Sequence, residues 1–400
     1  MSVLDAAAAP VSDLDPYAEE FLRDPYPRQQ QLREAGAVVW LSRHRLWAVT
    51  RHEEVDTVLR DPQTYCSSRG VGLADFARET PWRPPSLLLE ADPPQHTAAR
   101  HAITAVLGPR TVREMRQAFE SRAQQLVEEL VRGGSFDAIH DLAERFPLTA
   151  MSDQIGVPQD GREHLLVYGA LAFQAFGPRN ERTERSLREG EQAAAWVAEH
   201  TRLSELRPGG LGARIHASAV EHGFSEQHAE LLVRSVLTAG IDTTVIAIGN
   251  ALWLLARHPE QWAALRDDPS LARTAFEEGI RVETPIQVFC RTTTRAVQLA
   301  GVPLAEGDKL LLLLAGANRD PRRWEDPERF EIRRSASGHV GFGAGIHACV
   351  GQMIARLEGE AVLSALAARV QTLEPAGEPR RLIHNTLRAL SSLPLRVVAR

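Results

Sequence analysis

Residues 342–351 constrain the fold more than any other part of the 400-residue chain, because they read Phe-Gly-Ala-Gly-Ile-His-Ala-Cys-Val-Gly. The three glycines allow backbone to approach a flat ligand at places where a Cβ would collide with it. Cys349 lies at the predicted start of a helix, where unpaired N–H groups and the positive end of the helix dipole favour a thiolate. The segment therefore predicts a loop that presents a thiolate to a planar group.

Two other interpretations of this segment compete with that one. The first is a glycine-rich turn before a helix with a buried structural cysteine, and the second is a zinc site that uses His347 and Cys349. The zinc interpretation is weaker because no other Cys or His cluster supplies the remaining ligands. The chain's three cysteines, Cys66, Cys290 and Cys349, are too few and too scattered for a disulfide framework. This usage fits a reducing cytoplasm.

Charge and hydropathy exclude several classes of protein. The net charge of −6 and the pI near 6.2 argue against a protein that wraps nucleic acid. The N-terminus is acidic and Ala-rich, without the basic and apolar regions of a signal peptide. The unbroken apolar run of residues 310–317 is far shorter than the ~20 residues that cross a bilayer. We therefore expect a cytoplasmic protein that binds neither nucleic acid nor membrane.

The hydrophobic pattern predicts a mainly α fold with minor β structure. Residues 38–41 and 46–50 are typical of a hairpin, whereas the helical period dominates from 97 to 200 with breaks at glycine and proline. A long apolar helix is predicted over 230–258 and an amphipathic helix after Cys349. No repeat or linker divides the chain, so we expect a loose N-terminal arm over residues 1–15 and a single domain over 16–400.

Inside the long apolar segment, Asp242 and Thr243 interrupt a pattern that should be hydrophobic. An acid followed by an alcohol within a buried helix can form a proton relay. The alternative is structural, because a buried Thr often only bonds back to its own i−4 carbonyl. A second polar pair, Glu278 and Arg281, is spaced i and i+3 and so lies on one helix face. Most exposed pairs of this kind contribute a few tenths of a kcal/mol at most.

Together these motifs resemble those of the cytochromes P-450. The loop of residues 342–351 is similar to that family's haem-binding loop, residues 239–244 to its oxygen-activating segment, and Glu278 and Arg281 to its Glu-x-x-Arg pair. The resemblance implies the cytochrome P-450 fold, with haem b between the long helix and the helix that follows the Cys loop. It implies Cys349 as the axial ligand, O₂ as co-substrate, and Asp242 and Thr243 as catalytic residues that deliver protons.

The same resemblance implies further roles for single residues. A buried ion cluster that braces the loop would consist of Glu278, Arg281 and Arg329. Haem and its propionates would be held by His96, Arg100, Arg291, Phe342, Gly343, His347 and Gly351. Ala98 departs from the pattern, since relatives often carry another arginine there. That departure puts the strength of redox-partner docking in doubt.

Residues 67–73, 81–86 and 291–295 are similar to a bacterial subfamily that O-demethylates para-methoxybenzoates, and the likeness runs through nearly the whole chain. The implied substrate is a small para-substituted aromatic carboxylic acid. Its carboxylate would be bound by Arg83, Ser86, Arg234, Ser235 and Thr238. Its ring would lie among Leu89, Phe173, Phe176, Ala239, Ile286 and Phe289. Thr238 and Gln174 depart from the expected serine and asparagine.

The haem motifs account for the whole length, so we expect a monomer that receives electrons from a separate ferredoxin and an NAD(P)H-dependent ferredoxin reductase. An arginine-containing face near Cys349 would attract an acidic carrier. Three alternatives stay open at this point. They are a peroxide-driven peroxygenase, a hydroxylase of another small hydrophobic or terpenoid substrate, and a haem-thiolate gas sensor without enzymatic activity.

Overall fold

About 53% of the chain is helical and about 14% is in strands, in a computed structural model that describes residues 9–400. This confirms the mainly α class with minor β structure. The helices are α1 (Glu19–Arg23), α2 (Pro25–Ala35), α3 (His52–Arg60), α4 (Gln95–Val106), α5 (Pro109–Gly133), α6 (Arg145–Ile155), α7 (His164–Gln174), α8 (Glu181–Glu189), α9 (Glu191–His200), α10 (Leu211–Glu221), α11 (Glu226–Arg257), α12 (Pro259–Asp267), α13 (Ala272–Val282), α14 (Leu314–Ala317) and α15 (Gln352–Arg369).

The strands form one larger sheet and three small ones. They are β1 (Val11–Ser12), β2 (Val38–Leu41), β3 (Leu46–Val49), β4 (Tyr65–Cys66), β5 (Ser135–Asp137), β6 (Val288–Thr293), β7 (Val297–Leu299), β8 (Val302–Leu304), β9 (Lys309–Leu313), β10 (Val370–Pro375), β11 (Arg380–Leu382), β12 (Ala389–Ser392) and β13 (Pro394–Ala399). The six-stranded sheet has the order β1-β2-β3-β9-β6-β4, and β2 and β3 form the predicted antiparallel hairpin.

The predicted breaks between helices coincide with glycine residues that end them. Helix α5 stops at Gly134 (φ 73°) and α6 stops at Gly156 (φ 93°), both in the left-handed region that glycine adopts without a steric penalty. Between these helices lie β5 and a short π-helix, Ala138–Glu144, which the helical period alone did not predict. The segment is thus a series of connected helices with one irregular insertion.

Helix α11 runs through the main hydrophobic core, and its 32 residues begin four residues earlier than expected. Its N-cap is Ser225, whose hydroxyl accepts a hydrogen bond from the N–H of His228. The helix is long and apolar enough to cross a membrane by length and composition, but most of its apolar window is buried among other elements of the protein. It therefore serves as the central core helix.

The loose arm expected over residues 1–15 is corrected in its second half. Val11 and Ser12 pair in parallel with β2, and the N–H of Trp40 donates to the carbonyl of Pro10 at 2.8 Å. The pairing extends the sheet by one short strand, which the low hydrophobicity of this part of the sequence did not indicate. Residues 1–8 lie outside the described part of the chain.

A buried ion cluster joins α13 to the segment that leads to the Cys loop. Glu278 and Arg281 are both 0% exposed and form a bidentate pair at 2.7 and 2.8 Å. Arg281 also donates to the carbonyls of Asn318 and Pro327 at 2.8 Å. Because these carbonyls belong to the irregular segment after α14, the guanidinium holds that segment against the core.

The expectation that the Arg329 side chain completes this cluster is wrong. That side chain is 64% exposed and pairs with Glu331, while only the Arg329 carbonyl accepts from Arg281. Arg334 takes the place instead, with its Nε 3.1 Å from Oε1 of Glu278. Arg334 is five residues further along a segment of irregular backbone, so a spacing rule could not distinguish the two arginines.

We expect Arg334→Met to lower the free energy of unfolding by about 2–3 kcal/mol, because Glu278 loses one of its two cations in a buried site. The matched control is Arg329→Met, which should change stability by less than about 0.5 kcal/mol because the side chain is exposed. Urea unfolding followed by circular dichroism measures both. Equal effects of the two substitutions would contradict the assignment of Arg334.

Candidate active site

The Cys loop is closed by backbone hydrogen bonding between its two ends. The N–H of Cys349 donates to the carbonyl of Phe342 at 2.8 Å. Gly343 and Gly345 have φ values of 68° and 66°, which side chains rarely adopt. At position 345 a Cβ would also lie 2.4 Å from the carbonyl oxygen of Leu59 on α3. Gly345 is therefore required for packing against α3, and not only for approach to a planar ligand.

Opposing effects act on the Cys349 sulfur. Burial raises the pKa of its thiol, whereas the Gly351 N–H and the nearby guanidinium groups of Arg100 and Arg356 lower it. The donors predicted at the start of the helix are present, but burial outweighs them. A metal ion bound to a thiol deprotonates it outright, so ligation to a metal would supply the charge that keeps this sulfur a thiolate.

A cavity lies between α11 and the Cys loop. Helix α11 contributes small or hydroxyl-bearing side chains to it, and strand β6 forms another wall. Its lining includes Leu89, Phe173, Ala239, Gly240, Thr243, Thr244, Ile286, Phe289, Arg291, Phe342, Gly343, His347, Cys349, Gly351 and Glu358. The space lies where the sequence predicted that a haem would sit.

Buried nitrogen atoms without partners lie at one edge of this cavity. Both ring nitrogens of His96 and Nε2 of His347 have no hydrogen-bond partner among the described residues. The two rings are 4.2 Å apart, and burial lowers the pKa of His347 to about 3, with the Arg291 charge acting in the same direction. The nearest carboxylate, Asp92, already accepts from two backbone N–H groups. Nδ1 of His347 already donates to the Leu88 carbonyl, so its Nε2 could donate only from a protonated ring, which a neighbouring carboxylate would favour. Unpartnered ring nitrogens of this kind fit the propionates of a haem.

The two arginines predicted at this edge are also present, with different partners. Arg291 is 2% exposed, lines the cavity and donates to the carbonyl of Cys290, and burial lowers its pKa to about 10. Arg100 donates to the Ala348 carbonyl at 2.6 Å, next to the cysteine. The residues present thus fit the group that the resemblance implies: a sulfur ligand on one face and buried donors at the edge.

Asp242 and Thr243 occupy different faces of α11. The Thr243 hydroxyl lines the cavity and donates to the Ala239 carbonyl at 2.8 Å, so its oxygen keeps lone pairs that face the cavity. Asp242 is buried and faces α7, where a Cβ on Gly169 would lie 2.8 Å from the Asp242 Cβ. Burial raises the pKa of Asp242 to about 7. A carboxyl with this pKa can gain and lose a proton at neutral pH.

Glu358 is a buried acid that lines the same cavity. Its side chain is 0% exposed, neither carboxyl oxygen has a hydrogen-bond partner among the described residues, and burial raises its pKa well above the ordinary value. The side chain is therefore held neutral. It lies on the apolar stripe of α15, four residues after Ile354, and an acid at such a position is the signal by which the sequence could have revealed it.

The predicted substrate contacts divide into two groups. Leu89, Phe173, Ala239, Ile286 and Phe289 line the cavity above Cys349, as expected. The Phe176 ring lies behind them, 5.8 Å from Phe173 and 5.9 Å from Phe289. The expectation that the polar contacts also line this cavity is corrected, because their neighbours Leu89 and Val236 line it and they do not. The residues that lie outside this lining are Arg83, Ser86, Arg234, Ser235 and Thr238.

Outside this lining, Arg83 belongs to a second, outer cavity and already has a carboxylate partner. Its Nη1 donates to Oε2 of Glu90 at 2.9 Å, and the Glu90 side chain is only 2% exposed. The hydroxyls of Ser86 and Ser235 lie 3.4 Å apart beside this pair. The sequence analysis missed Glu90, although an acid directly after three leucines is a visible signal.

The Thr238 hydroxyl does not point a free donor towards a ligand. It donates to the Arg234 carbonyl at 2.9 Å, and the Ser235 hydroxyl likewise donates to the Leu231 carbonyl at 2.8 Å. Both therefore satisfy the helix backbone in the way that buried hydroxyls of helices commonly do. Their oxygens can still accept hydrogen bonds. Gln174 accepts from the N–H of Asn385 at 3.0 Å and thus has a structural contact in the core.

Comparison with known proteins places the chain in a family. The family model "Cytochrome P450" matches residues 210–396. Cytochrome P450 CYP199A2 of Rhodopseudomonas palustris is 53% identical over 392 residues, covering 98% of this chain and 95% of that protein. Cytochrome P450 monooxygenase PikC of Streptomyces venezuelae is 32% identical, covering 98% and 95%. The structure of cytochrome P450 CYP109Q5 from Chondromyces apiculatus superposes with a TM-score of 0.81, 32% identity and coverage of 97% and 98%.

The chain belongs to the cytochrome P450 family and is a monooxygenase that uses a cysteine-ligated haem and O₂. This confirms the resemblance drawn from the Cys loop. It also removes the gas-sensor alternative. The zinc interpretation receives no support either, because no group of three His, Cys, Asp or Glu side chains between residues 9 and 400 is arranged to hold a metal ion.

The raised pKa of Asp242 predicts a pH-dependent stability difference. In the unfolded chain the group titrates near its ordinary value of 3.8, whereas in the folded protein it titrates at about 7. Between pH 3.8 and pH 7 Asp242 is protonated in the folded protein but ionised in the unfolded chain. The contribution of this proton to the free energy of unfolding is therefore complete below pH 3.8 and is lost as the pH rises through 7. The wild-type protein thus loses stability over this range relative to a variant without the acid.

We expect Asp242→Asn to gain about 4 kcal/mol in unfolding free energy relative to wild type between pH 4 and pH 8. Urea unfolding of both proteins at several pH values measures the difference. Asp153→Asn, at a half-exposed site, is the control for general effects of pH. If the difference in unfolding free energy between Asp242→Asn and wild type stays constant with pH, this carboxyl titrates near 4 in the folded protein and the prediction is wrong.

Proposed function

We propose that this chain inserts one oxygen atom of O₂ into a small para-substituted aromatic acid and so O-demethylates a 4-methoxybenzoate-type substrate to the phenol and formaldehyde. The observation that carries the proposal is an excess of buried positive charge beyond the aromatic wall of the cavity. The resemblance of residues 67–73, 81–86 and 291–295 to the subfamily that acts on para-methoxybenzoates supports the same substrate.

The aromatic part of the cavity suits a flat ring. Phe173 and Phe289 line it, and Phe176 contacts both in edge-to-face geometry, so the three rings support one another. Leu89 and Ile286 complete the apolar surface, and both are packed against the same aromatic cluster. A single aromatic ring buried here loses its contact with water without leaving polar groups unpaired.

The charges beyond this wall do not cancel. Arg83 and Arg234 supply two cations, and among residues 9–400 Glu90 is the carboxylate that pairs with Arg83 and whose charge also acts on Arg234. Arg234 is half-buried, burial lowers its pKa, and the described residues supply it with no ion pair. A buried cation without a partner is costly, so the site favours an anion. The carboxylate of a benzoate, with Ser86 and Ser235 beside it, fits this requirement.

The haem, when bound, supplies the oxygen chemistry, and the chain supplies its ligand, its protons and the orientation of the substrate. We assign Cys349 as the sulfur ligand. Asp242 holds a proton at neutral pH, and the Thr243 oxygen accepts hydrogen bonds at the cavity surface. With the carboxylate anchored at the far end, the para substituent points towards the cysteine side of the cavity. A hydroxylated methoxy carbon then separates as formaldehyde and leaves the phenol.

We also propose that a separate ferredoxin supplies the electrons at the surface depression beside the Cys loop. This depression is lined by loop residues from 342 to 345, together with Arg60 and Arg356. Arg60 pairs with Asp56, and Arg356 pairs with Glu277 and lies 4.5 Å over the Phe342 ring. The charge of this patch is therefore mixed. Bacterial members of the family generally rely on separate redox partners.

The proposed substrate is tested by titrating the ferric holoprotein with 4-methoxybenzoate and with its neutral analogue 4-methoxybenzamide, followed by the low-spin to high-spin shift of the Soret band. We expect the acid to bind and Arg234→Gln to raise its dissociation constant about 30-fold, because a buried anion loses its cation. Arg179→Gln, at an exposed arginine of the outer cavity, should change it less than about twofold.

Reconstitution with a ferredoxin and its reductase should then yield the phenol and formaldehyde in equal amounts. A wild-type protein that shows no spectral shift with any para-substituted benzoate, but does shift with neutral terpenoids, would reject the proposal. Binding of the amide as tightly as the acid would reject the ionic part of it, because an uncharged group would then satisfy the site equally well.

A further inference from the structure

Within the described part of the chain Glu90 is the acid that pairs with Arg83, and its position is more constrained than that of a surface partner. Oε2 of Glu90 accepts from Nη1 of Arg83 at 2.9 Å and from the N–H of Ser86 at 2.8 Å. The N–H of Glu90 in turn donates to the Ser86 carbonyl at 2.9 Å. Two hydrogen bonds between Ser86 and Glu90 therefore close the turn over residues 86–90. They fix the position of the Glu90 carboxylate.

This turn joins the carboxylate of Glu90 to the two cavities. Leu89 of the turn lines the central cavity, while Glu90 and Arg83 line the outer one. The Ser86 hydroxyl accepts from the N–H groups of Leu88 and Leu89, and lies 3.4 Å from the Ser235 hydroxyl. The place proposed for a substrate carboxylate is thus next to an acid that belongs to the protein.

The charge balance of this site differs with and without the acid. Two arginines and one glutamate give a net charge of +1, which one monoanion neutralises. An acid with a second carboxylate would leave a buried negative charge beside Glu90, and like charges at close range repel strongly where water is excluded. Without Glu90 the net charge would be +2, and both cations would be available to a ligand.

We propose that Glu90 is a specificity-determining residue: an internal counter-ion that occupies Arg83, leaves one cationic partner for the substrate and so restricts the site to aromatic monocarboxylates. This inference rests on the proposed function, since it concerns the same carboxylate site. It assigns Arg83 to the protein's own acid, and assigns the ligand's carboxylate to Arg234 with Ser86 and Ser235. Glu90 acts on the substrate by repulsion, in the manner of an element that excludes the wrong ligand.

The test uses the ferric holoprotein and the variant Glu90→Gln, in which the amide oxygen can still accept from the Ser86 N–H. Glu79→Gln is the matched control, because Glu79 lines the same outer cavity but is exposed and pairs with no arginine among the described residues. The ligands are 4-methoxybenzoate, 4-methoxybenzamide and 4-methoxyisophthalate, which carries a second carboxylate on the ring. The Soret shift gives each dissociation constant.

We expect Glu90→Gln to lower the dissociation constant of the monoacid on the order of tenfold and that of the diacid by a larger factor. The amide should change less than twofold, and Glu79→Gln should change none of the three. Equal changes for acid and amide would mean that the turn has merely shifted, and would overturn the proposal. So would an unchanged or raised dissociation constant for the monoacid.

A second measurement separates this proposal from the choice of substrate. Phenylglyoxal modifies guanidinium groups that lack a carboxylate partner, and mass spectrometry of the modified holoprotein locates the label. Arg83 should be labelled several-fold faster in Glu90→Gln than in wild type, while Arg179 is labelled equally in both. If no benzoate binds, the proposed function fails, and an unchanged Arg83 rate would then overturn the counter-ion role as well. A faster rate would keep that role for another class of anion.

Discussion

Burial of charge is the constraint on which the rest of this structure depends. A thiolate has to be held inside an apolar core, and an isolated anion in that environment is unstable unless a metal, an N–H group or a cation compensates it. The loop around Cys349 supplies the N–H groups, and Arg100 and Arg356 supply cations. The loop itself keeps its shape because Arg281, itself fully buried, holds the preceding segment by its carbonyls. The position of the Cys349 sulfur thus depends on the Glu278–Arg281 ion pair of α13.

The other polar groups around the cavity follow the same physics in different ways. Burial lowers the pKa of both His96 and His347, and their unpartnered ring nitrogens could donate to a carboxylate that favours the protonated ring. Burial raises the pKa of both Asp242 and Glu358, which favours the neutral form of Glu358 and lets Asp242 exchange its proton near neutral pH. The charge of Arg83 is compensated by its ion pair with Glu90. The protein thus handles buried ionisable groups by neutralisation where a proton is useful, and by pairing where a charge is useful.

The sequence predicted the parts of this structure that depend on local pattern. The Cys loop, the long core helix with Asp242 and Thr243, the hairpin and the Glu278–Arg281 pair all follow from spacing within one element, and all are present. The wrong assignment of Arg329 to the ion cluster concerned a contact between two different elements. Whether Arg329 or Arg334 reaches Glu278 is decided by irregular backbone between α14 and the loop, where no period relates sequence to direction. The missing partner of Arg83 has the same origin, because Glu90 reaches it only through the fold of a turn.

The carboxylate end shows most clearly why pattern alone was insufficient. Proximity along α11 correctly grouped Arg234, Ser235 and Thr238. Successive residues of a helix are rotated by about 100°, however, so Val236 lines the central cavity while these three do not. A hydroxyl within a helix can also turn back to its own carbonyl, as those of Ser235 and Thr238 do. The direction in which each side chain leaves the helix, and not its distance along the sequence, decides whether it lines the cavity over the Cys349 sulfur.

Helix α7 touches two parts of the site at once. Gly169 lies against the Asp242 carboxyl, and Phe173, one helical turn later on the same side of α7, lines the cavity. Helix α7 therefore contacts the acid and also contributes an aromatic side chain to the cavity lining. If α7 moves sideways to admit a wider ligand, the space around the Asp242 carboxyl changes as well. The width of the bound ligand and the access of solvent to the Asp242 proton are therefore coupled through α7.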